Sequence, residues 1–166
     1  MRIISGKFKG KQLKEVGDGT RPTRDFVREN VFNILGSRVI GAEVLDCFAG
    51  TGAYGIEAIS RGAKNATFFD INPRACDIIR ANLKNINEKQ EVKCKNFITA
   101  KIEKKFDIIF IDPPYDSGLY EKTIQKIEKQ SLLKDGGIIV IETPRDFNIE
   151  NSSRTVFYGS SAVHFI

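Results

Sequence analysis

The sequence predicts an α/β fold, a mostly parallel sheet of the seven-stranded type with helices on both faces, and three observations carry that prediction. Runs such as IIFI (108–111) and IIVI (138–141) are apolar without alternation, as in strands buried on both sides. They alternate along the chain with segments of helical periodicity, the pattern of crossover connections between parallel strands. The last two runs, RTVFYG and SAVHFI, follow each other across Gly159 and Ser160 and so read as an antiparallel hairpin at one end of the sheet.

The chain opens on a short basic hairpin, Arg2 to Phe8 paired with Gln12 to Val16. In TRPTRDFVRENVFNILG, Val27, Val31, Ile34 and Leu35 recur at helical spacing, from a start at Thr23 or Asp25 to a stop at Gly36. EVLDCFA (43–49) reads as a strand, AYGIEAISRG (53–62) as a helix and NATFFDI (65–71) as a strand. A helix over 73–87 carries Pro73 in its first turn, where the missing N–H would have no helical partner anyway, and a strand follows near EVKCKN. Next come FDIIFID (106–112), a helix from about Leu119 to Leu133, and GGIIVIETP (136–144). Residues 145–153 read as a plain loop where a further crossover helix could have stood. No repeat, low-complexity tract or linker divides the 166 residues, so one domain is expected: a basic arm and helix over 1–38 and an α/β core over 39–166.

Cys47, Cys76 and Cys94 are odd in number and match no metal or disulfide spacing, which predicts reduced thiols, no metal and a cytoplasmic protein. No apolar run approaches a membrane span, and the first residues lack the apolar stretch of a signal peptide. The net charge of +5 lies in the first fourteen residues: Arg2, Lys7, Lys9, Lys11 and Lys14 stand there with no acid, leaving the rest neutral. Clustered cations of this kind suit phosphate neutralisation on a nucleic acid, although a solvated basic face would look the same.

LDCFAGTGAYGIEA places Gly50, Gly52 and Gly55 in a G-x-G-x-x-G spacing between a strand and a helix, and Asp70 ends the next strand. Glycines there permit a tight turn and a ligand's close approach to the helix start, and an acid at the second strand's end suits ribose hydroxyls. Asp46 discriminates among nucleoside cofactors. A carboxylate just ahead of the glycines would repel a pyrophosphate, which disfavours a dehydrogenase, but would welcome the sulfonium and ammonium of S-adenosylmethionine.

In IDPPYD (111–116), two prolines end a buried strand. They act either as a simple strand stop or as a stiff mount for a carboxylate, a carbonyl and an aromatic ring. Taken with RIISGKFKGKQL, RPTRDFVRENVFNIL, LDCFAGTGAYGIEAISRGA and FYGSSAVHFI, the sequence resembles the bacterial ribosomal RNA small-subunit methyltransferase D family along nearly its whole length. That resemblance implies a Rossmann-like fold, S-adenosylmethionine as cofactor, and methylation of guanine N2 in 16S ribosomal RNA. It implies a cofactor site over Asp46, Phe48, Ala49, Gly50, Thr51 and Gly52, with Asp70 on the ribose and Asn96 and Phe97 near the adenine. Asp112, Pro113, Pro114 and Tyr115 would form the catalytic loop. Two departures from the family pattern stand at Asn96, where an acid is usual, and at Asp70, where glutamate is common.

An exocyclic amino group is a poor nucleophile because its lone pair is delocalised into the ring. Acceptors at Asp112 and the Pro113 carbonyl would favour a pyramidal nitrogen, and Tyr115 would stack on the extruded base. The substrate side would comprise Lys7, Lys9, Lys11, Arg21, Thr23, Arg24 and Arg28, with Arg28 reading equally as an ion-pairing residue on a solvated helix face. His164 has no evident partner in the sequence and reads as structural. The expected partner is 16S ribosomal RNA within an assembling small subunit, with no membrane, and the expected state is a monomer. The rivals are amino-group methylation of DNA adenine or protein glutamine, and an RNA-binding module whose cofactor pocket is vestigial.

Overall fold

Leu119 to Lys129 is the helix whose observed end differs most usefully from expectation, because the next residues set the register of the central strands. Ser131 takes a left-handed φ of +50° and reverses the chain, so the following strand begins at Leu133, ahead of the predicted residue 136. The computed structural model describes residues 1–15, 22–84, 86, 90–114 and 118–166, and the side chains of residues 22–24 lie outside that description.

Seven strands form one sheet: β1 (Glu43–Asp46), β2 (Asn65–Asp70), β3 (Glu91–Cys94), β4 (Phe106–Ile111), β5 (Leu133–Pro144), β6 (Arg154–Tyr158) and β7 (Ser161–Phe165). Their spatial order is β3-β2-β1-β4-β5-β7-β6. Strands β1 to β5 are parallel, and β7 runs antiparallel to both β5 and β6. The chain builds outward from β1 to β3, then returns to lay β4 on β1's other side. Ligands of open α/β sheets bind beyond the strand carboxyl ends at such a reversal.

Both faces of the sheet are buried, which explains why its strands do not alternate with polar residues. Val44, Phe68, Ile108, Phe110 and Val140 face α1 (Pro22–Leu35), α2 (Ala53–Ser60) and α3 (Pro73–Leu83). Leu45, Phe69, Ile109 and Ile141 face Tyr120 and Ile127 of α4 (Leu119–Lys129). His164 is a satisfied core residue: its ring nitrogens pair with Thr143 Oγ1 and Thr155 Oγ1, each at 3.0 Å.

The predicted N-terminal hairpin is present in a shorter form than the sequence suggested, and Val16 at its expected end lies outside the described residues. Among the described residues one antiparallel bridge forms, Arg2 with Gln12, and the segment from Ile4 to Phe8 turns onto α2. Ile3 N–H donates to Lys11 O, Gly10 N–H to Ile3 O and Leu13 N–H to Met1 O, at 2.9–3.0 Å, whereas donors between Ile4 and Phe8 have partners on α2. Ile4 and Ser5 N–H donate to the Glu57 carboxylate at 2.8 and 3.0 Å, Phe8 N–H donates to Ser60 Oγ at 3.0 Å, and Lys7 N–H donates to Ser60 O at 2.7 Å. Ile3 and Leu13 are buried in the main core, each contributing about 1.5–3 kcal/mol. The arm is therefore docked along α2 and does not project from the core.

Candidate active site

After Asp46 ends β1, the chain turns through Cys47–Gly52 into α2. Cys47 N–H donates to Phe110 O at 3.1 Å and Ala49 N–H to Phe69 O at 2.9 Å, so the loop hangs between β4 and β2 at the topological reversal. Gly52 takes a left-handed φ of +79° at the position that starts α2. Gly55 answers a different need: a Cβ there would stand 2.3 Å from the Phe68 ring, so its absence lets α2 lie against β2.

Two acids hold this loop. Asp46, only 3% exposed, lies beneath it and accepts from Gly55 N–H at 3.3 Å. Burial pushes its carboxyl up to about 7, with the Gly55 bond opposing and the Asp70 charge adding to the rise. The cleft wall runs from Cys47 to Thr51, and Asp46 lies under that loop. Asp70 does line the cleft, with Oδ2 accepting from Gly50 N–H and Oδ1 from Asn72 N–H, both at 2.8 Å. A carboxylate has about four lone-pair sites, so these two bonds leave accepting capacity toward the cleft.

Gly50, Asp70, Asn96, Phe97 and the Asp112–Pro114 turn all face one cleft of about 550 Å³, within the range of small-molecule sites. Among the described residues nothing lies within 4 Å of where a Gly50 Cβ would be, so the backbone there is open to close approach. Phe97 is buried and meets Phe48 and Phe69 edge-on at 6.2 and 5.4 Å, giving one end of the cleft an aromatic base. Beside it Asn96 is exposed on the wall, with Oδ1 accepting from Ile98 N–H at 2.9 Å. Thr51 also lines the cleft, and its carbonyl accepts from Asn82 Nδ2, which binds Lys14 O as well and so ties the arm to the loop.

At the other end, β4 stops at Ile111; Asp112 and Pro114 are exposed and Pro113 is buried, while Tyr115 lies outside the described residues. Two residues that sequence reasoning missed stand beside them. Tyr54 of α2 stacks on Phe110 with centroids 4.9 Å apart and donates its hydroxyl to Glu142 Oε2 at 3.0 Å. Burial first, then the Glu142 and Asp112 carboxylates, push the Tyr54 phenol well above its ordinary value, so it remains a donor. The available signal was the parallel register of β4 and β5, which no local motif encodes.

The predicted substrate side divides. Arg28 is not on a solvated face: it is 2% exposed and lines the cleft, with Nη2 donating to Arg2 O at 2.6 Å and to Asp25 Oδ1 at 3.1 Å, and Nε 3.8 Å from Glu57. Lys7 and Lys9 are exposed on the turn against Ser60, at the end of α2 remote from the cleft, and Lys11 Nζ is shielded from solvent. Arg21 and the side chains of Thr23 and Arg24 lie outside the described residues.

A family described as conserved hypothetical protein 95 matches residues 1–159. The Escherichia coli ribosomal RNA small subunit methyltransferase D is 36% identical over 160 residues, covering 94% of this chain and 79% of that relative. The chain belongs to this methyltransferase family. A solved Escherichia coli methyltransferase superposes on it with a TM-score of 0.89 at 33% identity, covering 99% of this chain and 96% of that one. A Thermus thermophilus 16S rRNA N2 methyltransferase, solved with AdoMet and guanosine, shares the Rossmann-like fold at a TM-score of 0.69 and 19% identity, over 89% of this chain and 43% of that one. Among the described residues, no helix of this methyltransferase is long and apolar enough to cross a membrane.

Proposed function

We propose that this methyltransferase uses S-adenosylmethionine to methylate the exocyclic N2 of a guanine in 16S ribosomal RNA, acting as a monomer on an assembling small subunit. The observation that carries the reading is the opening of the Asp112–Pro114 turn onto the same cleft as Gly50 and Asp70. The donor set suits the cofactor: Asp70 lines the cleft with accepting capacity to spare, and the surface over Gly50 is open. Asp70 would accept from ribose hydroxyls, Phe48, Ala49, Gly50, Thr51 and Gly52 would shape the bed, and Asn96 and Phe97 would flank the adenine. S-adenosylmethionine would supply an electrophilic methyl group at the Asp112 end.

The chain's own residues act on the nucleophile. The Asp112 carboxylate and the Pro113 carbonyl accept from the two N–H bonds of the guanine amino group, favouring a pyramidal nitrogen whose lone pair points toward the methyl carbon. Methyl transfer would place positive charge on the amino nitrogen, which Asp112 would stabilise until the proton passes to water. Pro113 and Pro114 keep both acceptors in place. Tyr115 would stack on the base, and Arg21, Thr23 and Arg24 would serve the RNA side. The test is incubation with labelled S-adenosylmethionine and small ribosomal particles from cells lacking the modification, then identification of the labelled nucleoside. Label in N2-methylguanosine is expected; label in another nucleoside, or none, would overturn the reading.

A further inference from the structure

β4 and β5 are parallel and in register from Ile108 with Ile138 to Ile111 with Ile141, so the next pair is Asp112 and Glu142. Side chains alternate along a strand, and these two share parity with Phe110 and Val140, so both turn to the face that packs on α2. Neighbouring strands lie about 4.8 Å apart, which makes the two carboxylates adjacent on the cleft wall. From α2, Tyr54 holds Glu142 Oε2 at 3.0 Å, and its ring is itself fixed on Phe110. Two adjacent carboxylates on one cleft wall call for a ligand with two adjacent donors.

The target's chemistry supplies that need. In guanine the amino group is flanked on the Watson–Crick edge by N1–H, a donor. In adenine and cytosine the ring nitrogen beside the amino group on that edge is an acceptor. A site that engages only the amino hydrogens cannot tell these bases apart, whereas a second carboxylate beside the first attracts N1–H and repels a ring acceptor. We propose that Glu142, positioned by Tyr54, accepts from guanine N1–H and selects guanine over other bases that bear an exocyclic amino group. This role rests on the guanine N2 reading above. Glu142 is specificity-determining and Tyr54 is a positioning residue.

The test compares small ribosomal particles reconstituted with guanosine or with 2-aminopurine at the methylated position, since 2-aminopurine keeps the amino group but has an acceptor at N1. The wild type is expected to prefer guanosine on the order of tenfold or more in kcat/KM, because an acceptor facing a lone pair is left unpaired. Glu142→Gln is nearly isosteric, still accepts from Tyr54, and can turn its amide to donate. It is expected to lose activity on guanosine and gain or hold activity on 2-aminopurine, collapsing the preference, with S-adenosylmethionine affinity unchanged by calorimetry. Tyr54→Phe should move the ratio the same way by less. If Glu142→Gln fails to fold, Glu142→Asp, which withdraws the carboxylate by one methylene, carries the same comparison. An unchanged preference in a folded Glu142 variant overturns the role. Wild-type label in a nucleoside other than N2-methylguanosine overturns the guanine reading itself, and the role falls with it.

Discussion

At the seam between the arm and α2, Glu57 is fully buried, and its two oxygens accept from Ile4 and Ser5 N–H and from Arg61 Nε at 2.7 Å, with Arg28 nearby. Asp112 and Glu142, at the carboxyl ends of β4 and β5, instead face a cleft. Both regions gather negative charge beside α2, but in the seam the carboxylate is fully buried among backbone donors and guanidinium groups, whereas at the cleft Asp112 is exposed and Glu142 half-buried. A buried carboxylate so matched is stable only while all its partners remain; a carboxylate on a cleft wall contributes mainly when a ligand arrives. The first kind of acid is therefore expected to govern stability and the second kind rate.

Glu57→Ala should have the largest effect. It strands Arg28 and two backbone N–H groups in a buried site, and breaking such a pair costs about 3–5 kcal/mol. A fall of that size in unfolding free energy by urea titration is expected, with the arm becoming susceptible to protease; a midpoint near wild type would mean the seam is not what anchors the arm. Asp112→Ala is the converse. Methyl transfer under single-turnover conditions should drop on the order of a hundredfold or more, since one oriented contact to a transition state is worth about 2.7–4 kcal/mol. The urea midpoint should stay where it is. A variant that loses stability and keeps its rate would reverse the assignment of the two regions.

Asp46 tests the intermediate case, an acid of the site that is buried like one of the seam. Its carboxyl is raised to about 7 in the folded protein from an ordinary value of 3.8, burial being the main cause. A raised value means the folded state holds the proton more tightly than the unfolded chain. The contribution to stability is full below the unfolded value and is lost as pH rises through the folded one. Across roughly pH 4 to 7 the wild type should therefore lose stability relative to Asp46→Asn, by up to about 1.4 kcal/mol per pH unit. A difference between the two proteins that stays flat across this window would mean that Asp46 is charged in the fold.

The strands and the glycine loop were legible because their signals are local: continuous apolar runs for a doubly covered sheet, and glycines between a strand and a helix. Asp70 was legible for the same reason, standing at the end of its own strand. The seam was not, because Glu57 meets Ile4 and Ser5 across more than fifty residues, and a glutamate within a helix has no local mark of burial. Arg28 was misread for the same cause, since its partners Arg2 and Glu57 lie on two other segments. Glu142 stayed hidden because its adjacency to Asp112 follows from the β4–β5 register, which the unexpected reversal at Ser131 helps to set. The basic arm was legible in composition but not in placement: the charges are present, yet the turn that carries two of them is held against Ser60.

That placement yields the smallest expected effect. Lys7 N–H donates to Ser60 O in the last turn of α2, while the first turn of the same helix, at Ala53 and Tyr54, lines the cleft. The two lie at opposite ends of the eight-residue helix, about 10 Å apart. Lys7 and Lys9 can therefore reach a phosphate only where the RNA continues along α2, away from the target base. Replacing both by Gln should weaken binding to small-subunit particles by less than about tenfold and make the salt dependence shallower by about 0.7–0.9 for each lysine that reaches a phosphate. Methyl transfer at saturating substrate should not change. Lys11, whose ammonium is shielded from solvent, should leave the salt slope untouched when replaced by Gln and act on stability instead. An identical slope in the Lys7 and Lys9 double variant would show that the turn is solvated surface. A loss well beyond tenfold would mean that the RNA lies along α2 from the cleft to the arm, joining the two regions into one binding face.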